Sequence, residues 1–268
     1  MSERRKISGF SNPTVKFLRS LREKKFRKLE GKFLAEGLRL LADARDTGTL
    51  PEILVMATGR EPHPLLDQLE AEVAAAGGEV IEMDEDILAK VTGKTNPQAV
   101  AGVFAEFDTS LAAIERDSAK IWLVAQALRD PGNLGTMLRT GDAVGAGGLI
   151  LLDDCADPFS VEAVRASMGA IFTQKVARAS WDEFAGWLRQ GNGQLVAASL
   201  RNATDYRGGA YVAPCFLMVG NESRGLPAEY EDACDLRVTI PMKGRADSLN
   251  AAVAAAVLAY EALAALDR

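Results

Sequence analysis

The chain alternates short apolar runs with stretches whose apolar residues recur every three or four positions. The runs at 53–55, 80–81, 100–107, 121–125, 149–152, 195–199, 216–219 and 236–240 predict strands. The stretches 64–76, 84–91, 133–145, 158–172, 181–190, 227–233 and 248–266 carry helical spacing. Ahead of the first strand, 13–30 reads as one basic helix with Val15, Leu18, Leu21 and Leu29 inward. The next stretch, 33–48, reads as a second helix with Leu34, Leu38 and Leu41 inward and Gly48 as its stop. This alternation predicts the α/β class with a mostly parallel sheet. Residues 1–107 form a smaller α/β domain, 108–119 a polar, helical linker, and 120–268 a second domain.

Composition and charge narrow the chemistry. Three cysteines, Cys155, Cys215 and Cys234, have no metal-ligand spacing and read as reduced core residues of a cytoplasmic protein. The N-terminus lacks the apolar segment of a secretory signal, and no apolar run predicts a membrane span. The single histidine, His63, lies in a proline-flanked loop, so a histidine-rich zinc site is excluded and a Ser-His-Asp triad would have to use it. Net charge is −6, yet residues 1–39 alone carry +8, which leaves −14 for the rest. This asymmetry suggests a basic arm or face on an acidic body, with nucleic acid as a candidate partner and a solvated helix surface as the alternative. No glycine fingerprint of a dinucleotide-binding fold follows a strand, and Gly93-Lys94-Thr95 lacks the upstream glycine of a phosphate-binding loop.

Three polar constellations sit where an apolar strand ends. The first is Asp130-Pro131-Gly132-Asn133-Leu134-Gly135 with Arg139-Thr140; Asn133 is a candidate N-cap. On the helix it opens, Leu134, Met137, Leu138 and Val144 make an apolar stripe, with Gly135, Thr136, Arg139 and Asp142 opposite. The second is Gly220-Asn221-Glu222-Ser223-Arg224-Gly225. The third is Ile240-Pro241-Met242-Lys243-Gly244 followed by Ser248-Leu249-Asn250, where Ser248 can cap the last helix and Asn250 lies in its first turn. The alanines of that helix offer a smooth face for a second subunit. An open α/β sheet binds ligands at such strand exits.

Taken together, these residues resemble motifs one, two and three of the SpoU/TrmH family, RNA ribose 2′-O-methyltransferases of the SPOUT superfamily. The resemblance covers 120–268. Phe33-Leu34-Ala35-Glu36-Gly37 and Asn96-Pro97-Gln98-Ala99-Val100 resemble the ribosomal-protein-like RNA-binding domain that often precedes this catalytic domain. One departure is Gly141, where many members carry alanine.

The resemblance implies a C-terminal trefoil knot, which chain-topology rules would not suggest. It also implies a homodimer and S-adenosyl-L-methionine as cofactor, with no metal. Carried over, Ser199, Leu200, Gly220, Ile240, Met242 and Leu249 would hold the cofactor. Arg139 would engage the ribose hydroxyl or its phosphate, and Glu222, Asn250, Asn133 and Ser248 would hold the arginine or shape its loop. Ribosomal RNA is the expected substrate. A transfer-RNA ribose methyltransferase and a non-catalytic RNA-binding relative are the alternatives. Deletion of residues 1–105 is expected to weaken RNA binding and flatten its salt dependence.

Overall fold

The computed structural model describes residues 4–94 and 97–268; Thr95 and Asn96, which belong to two of the segments above, lie outside the described residues. The chain divides into two compact units. Unit 1 is Met1–Phe107 with Phe159–Phe172, and unit 2 is Asp108–Pro158 with Thr173–Arg268. Among the described residues no helix is long and apolar enough to cross a membrane.

Unit 1 runs β1 (Arg5–Ile7), α1 (Pro13–Ser20), α2 (Lys24–Glu30), β2 (Lys32–Glu36), α3 (Leu38–Asp46), β3 (Ile53–Ala57), α4 (Pro64–Ala75), β4 (Glu79–Met83), α5 (Glu85–Thr92) and β5 (Val100–Ala105). Its five-stranded sheet has the order β1-β4-β3-β5-β2 and is mixed, since β5 runs antiparallel to both β2 and β3.

Two helix expectations are corrected here. The single helix over 13–30 is broken into α1 and α2 because the buried Arg27 guanidinium donates to the carbonyls of Leu21 and Arg22, both at 2.8 Å. It thereby satisfies carbonyls that a helix end leaves open. The break turns Leu29 outward, 73% exposed. Residues 33–36 form a strand, not a helix. Phe33, Leu34 and Ala35 are buried on both faces, and a continuous apolar run of this kind fits strand and helix alike until its pairing partner is known.

Unit 2 runs β6 (Ile121–Gln126), α6 (Pro131–Ala143), β7 (Gly148–Leu152), β8 (Lys175–Ala179), α8 (Trp181–Arg189), β9 (Gln194–Ala198), β10 (Thr204–Asp205), β11 (Cys215–Val219), α9 (Ala228–Asp232), β12 (Leu236–Thr239) and α10 (Ala251–Leu266). The helix skipped in that count, α7 (Val161–Ala166), belongs to unit 1. The seven-stranded sheet has the order β10-β12-β9-β11-β6-β7-β8, and every pairing in it is parallel.

Three more expectations change. Residues 108–119 form two short 3₁₀ turns rather than a helix. Arg116 ties them into unit 2: its guanidinium lies 4.0 Å from the Trp187 ring centre and donates to the Trp187 carbonyl at 2.7 Å, while Trp122 Nε1 donates to the Arg116 carbonyl. The helix over 158–172 shrinks to α7, capped by Ser160. The chain then passes through left-handed Met168 and Gly169 (φ 50° and 95°). Finally, β8 and β10 were not expected. Both lie at sheet edges; β8 is rich in alanine and cations, and β10 has only two residues, where alternation has no room to show.

Candidate active site

The order of the large sheet reverses beside β6. From β6 the chain moves outward to β7 and β8, then returns on the far side through β9 and β11. A crevice opens at such a switch point, at the carboxyl ends of the strands. Four strand exits meet here, after β6, β9, β11 and β12.

The exit of β6 leads into α6. Its N-cap is Asp130, not Asn133: Asp130 Oδ1 accepts from the Asn133 backbone N–H at 2.7 Å, and Pro131 occupies the first helical position. Asn133 stands one turn in, and its side chain is free to face the other motifs. Its Nδ2 donates to Glu222 Oε1 at 3.2 Å, and its Oδ1 accepts from Asn250 Nδ2 at 2.8 Å. Asn250 is the N-cap of α10, its Oδ1 accepting from the N–H groups of Ala252 and Val253. Ser248, expected as a cap, instead donates to Asp247 at 2.9 Å. One hydrogen-bonded relay, Asn250–Asn133–Glu222, thus joins all three constellations.

Glu222 also accepts from the backbone N–H groups of Asp130 (3.3 Å) and Arg129 (3.4 Å) and from Asn221 Nδ2 (3.3 Å). Desolvation pushes its carboxyl up. The donors around it, its own N–H and those of Asn133, Asp130 and Arg129, outweigh that and hold it below the usual carboxylate range. The Glu222 loop is tight. A Cβ on Gly220 would lie 2.3 Å from the Gly225 carbonyl carbon, and Gly225 sits at φ 67°, so both positions need glycine. The loop is tied to the first exit through Asn221 Nδ2, which donates to the Ala127 carbonyl at 2.8 Å.

Arg139 lies on the exposed side of α6 and has no hydrogen-bond or ion-pair partner among the described residues. Glu222, Asn250 and Asn133 therefore brace the 129–133 turn rather than the guanidinium. Leu134, Met137, Leu138 and Val144 are buried as the stripe requires, but Gly135 is buried with them instead of lining the arginine's face.

A cavity of 460 Å³ lies between the exits of β9, β11 and β12. Ser199, Leu200, Gly220, Ile240, Met242 and Leu249 all line it, as do Glu222 and Ser248; Asn133, Arg139 and Asn250 do not. Leu200 and Leu249 are 80% and 40% exposed on its walls, apolar surface with nothing packed on it. Ser199 is buried and donates to Glu231 Oε1 at 2.5 Å, while its own hydroxyl oxygen accepts from the Arg201 N–H.

Residues 120–260 match the SpoU rRNA Methylase family, and residues 12–102 match the MRM3-like substrate binding domain. The chain belongs to the SpoU rRNA methylase family. It is 33% identical to the 23S rRNA (guanosine(2553)-2′-O)-methyltransferase RlmP of Bacillus subtilis, over 96% of this chain and 98% of that protein. The structure of an AdoMet-bound rRNA methyltransferase from Sinorhizobium meliloti superposes with a TM-score of 0.90 at 40% identity, covering 96% of this chain and 97% of that one. The SpoU methyltransferase AviRb from Streptomyces viridochromogenes, in complex with AdoMet, gives 0.85 at 29% identity, covering 94% and 97%.

Within this SpoU domain, sequence reasoning missed Asp130 as the cap, Asn221 as the tie between two loops, and Glu231 beneath Ser199. Asp-Pro at 130–131 was a readable signal for the first, since proline favours the position after the cap. Nothing local marks Glu231, whose partner lies thirty-two residues away. Cys155 and Cys215 are buried as expected, whereas Cys234 is half-buried; desolvation pushes the Cys155 thiol to about 11 and those of Cys215 and Cys234 to about 12, which favours the protonated thiol in all three.

Proposed function

We propose that this chain transfers the methyl group of S-adenosyl-L-methionine to a ribose 2′-hydroxyl of RNA, ribosomal RNA rather than transfer RNA, and that it works as a homodimer. The observation that carries the reading is the Asn250–Asn133–Glu222 relay, which fixes three strand exits beside one cavity.

The cavity fits the cofactor's chemistry. Its volume of 460 Å³ falls within the roughly 300–1,000 Å³ usual for small-ligand sites. Leu200, Ile240, Met242 and Leu249 offer apolar walls for a purine, the strand exits offer backbone donors and acceptors, and Glu222, Glu231 and Asp247 offer negative charge to a ligand bearing two cationic centres. When bound, the cofactor supplies a methyl group already activated on sulfonium, so the protein's task is alignment.

Arg139 is the donor for the substrate. Its guanidinium stays protonated in proteins and cannot serve as a base. It orients the ribose hydroxyl or the neighbouring phosphate and stabilises developing negative charge, and with no partner among the described residues its donors are available. Asn133, Glu222 and Asn250 are positioning residues for the turn that starts its helix.

We also propose a C-terminal trefoil knot and a dimer contact through α10. For the knot, β12 lies between β9 and β10, so the connection 199–203 must cross the path of the chain leaving β12. For the dimer, four of the six alanines first expected to face a second subunit, Ala251, Ala252, Ala255 and Ala259, are buried within unit 2 as α10 packs on α6 and β11, while Ala254 and Ala256 are half-buried. The outward residues Val253 and Tyr260, 47% and 55% exposed, are the better candidates.

The test is transfer of labelled methyl from the cofactor to deproteinised ribosomal RNA and to transfer RNA, followed by mapping of alkali-resistant linkages. Label on a base, or none in either RNA, would sink the reading. Arg139→Ala should lower the transfer rate by about 10²-fold or more while cofactor affinity is retained.

A further inference from the structure

The α1–α2 corner of unit 1 exposes Lys16, Arg19, Arg22, Lys24, Lys25 and Lys28, none of which is paired with a carboxylate among the described residues. Beside it stands Phe10, in the turn between β1 and α1. It is 51% exposed, the one phenylalanine of the described residues placed so. A single exposed apolar residue is ordinary; the surroundings of this one are not.

The Lys90 ammonium on α5 lies 4.9 Å from the Phe10 ring centre. Both residues line a surface depression of 450 Å³ whose other walls are Asp86, Ala89, Gly93 and Lys94. Gly93 ends α5 in a left-handed conformation (φ 75°), and a Cβ there would lie 2.2 Å from Arg22 Cζ. The Arg22 guanidinium therefore lies against bare backbone at the rim. Lys94 is engaged by Glu36; among the described lining residues Lys90 and Asp86 carry the remaining charge, with Arg22 at the rim.

A half-exposed aromatic ring with an ammonium over one face and a guanidinium nearby suits a nucleobase attached to a phosphate, the base taking the other face. The base stacks on the ring, and the guanidinium and ammonium meet the phosphodiester. The nucleotide must be unpaired, because the bases of an A-form duplex are stacked out of reach of such a platform. We propose that Phe10, Lys90 and Arg22 form a stacking site for an unpaired nucleotide of the RNA substrate. This rests on the reading of the chain as an RNA-directed enzyme, and it places one contact of that RNA on unit 1.

The experiment uses the full chain and two probes, an oligouridylate of ~12 nucleotides and an RNA duplex of ~12 base pairs, lengths that suit single-strand binding sites. Phe10→Ala should weaken oligouridylate binding by roughly 5- to 100-fold, the loss expected at a stacking aromatic, and leave duplex binding and thermal stability unchanged. Phe10→Trp should keep the affinity, and the emission of the introduced indole should be quenched as the oligonucleotide is added. Wild-type affinity in Phe10→Ala, or an indole whose emission ignores bound RNA, overturns the inference. Methyl incorporation into ribosomal RNA by the wild-type chain is measured alongside. Incorporation with no effect of Phe10→Ala defeats the stacking site alone, whereas no incorporation defeats the reading beneath it.

Discussion

Asn133 is the residue on which the three motifs converge. It uses both ends of one carboxamide, donating to Glu222 and accepting from Asn250. Asn133→Ala removes one hydrogen bond from Glu222 and one from Asn250, both at exposed positions, which should cost about 0.5–1.5 kcal/mol. The expected outcome is a lower denaturant midpoint and a slower methyl transfer at saturating cofactor, with cofactor affinity retained; an unchanged transfer rate would refute its positioning role. Glu222 adds a pH signature. Its folded carboxyl titrates below the ordinary value of about 4.3. Its contribution to stability is therefore complete above that value and lost as pH falls through the folded one. The difference in Tm between wild type and Glu222→Gln should shrink as pH drops below about 4; a difference that stays constant or grows would contradict the assignment. The residue types of this site were legible in the sequence. The bonds between them were not, because Asn133 and Asn250 are 117 positions apart and only the fold brings them together.

At the scale of elements, the basic N-terminal helix shows how one side chain overrides a periodic pattern. The leucine spacing over 13–30 suits a single helix. The buried Arg27 guanidinium stabilises a break by taking the Leu21 and Arg22 carbonyls. Arg27→Met keeps the bulk and removes the donors, and should destabilise the chain by about 1–3 kcal/mol in urea unfolding. Stability equal to wild type would mean that the break needs no such donor. The long strands of the parallel sheet were legible because both faces are buried and the runs are continuous. The failures have other causes: the leucine spacing of 34, 38 and 41 carries helical periodicity from 33–36 on into α3, β8 holds few large apolar residues, and β10 has only two residues.

Across the whole molecule, charge is divided unevenly, +8 on residues 1–39 and −14 beyond them. If the basic corner meets RNA phosphates, replacing Lys24, Lys25 and Lys28 together with glutamine should reduce the slope of log affinity against log salt by about 2, near 0.7 for each single-strand phosphate contact. An unchanged slope would show that those lysines face only water. The aromatic cluster of unit 1 bears on how such experiments can be designed. Phe33, Phe104 and Phe107 pack with Phe159 and Phe172, which arrive from the far side of β7. The chain thus crosses between units three times, and the two are not cassettes that a single cut can part. A chain begun at residue 108 would lose more than an RNA contact. It would keep Phe159 and Phe172 with no aromatic partners, an adhesive patch prone to self-association. Recombination that swaps the N-terminal unit between relatives has to carry 159–172 along with it.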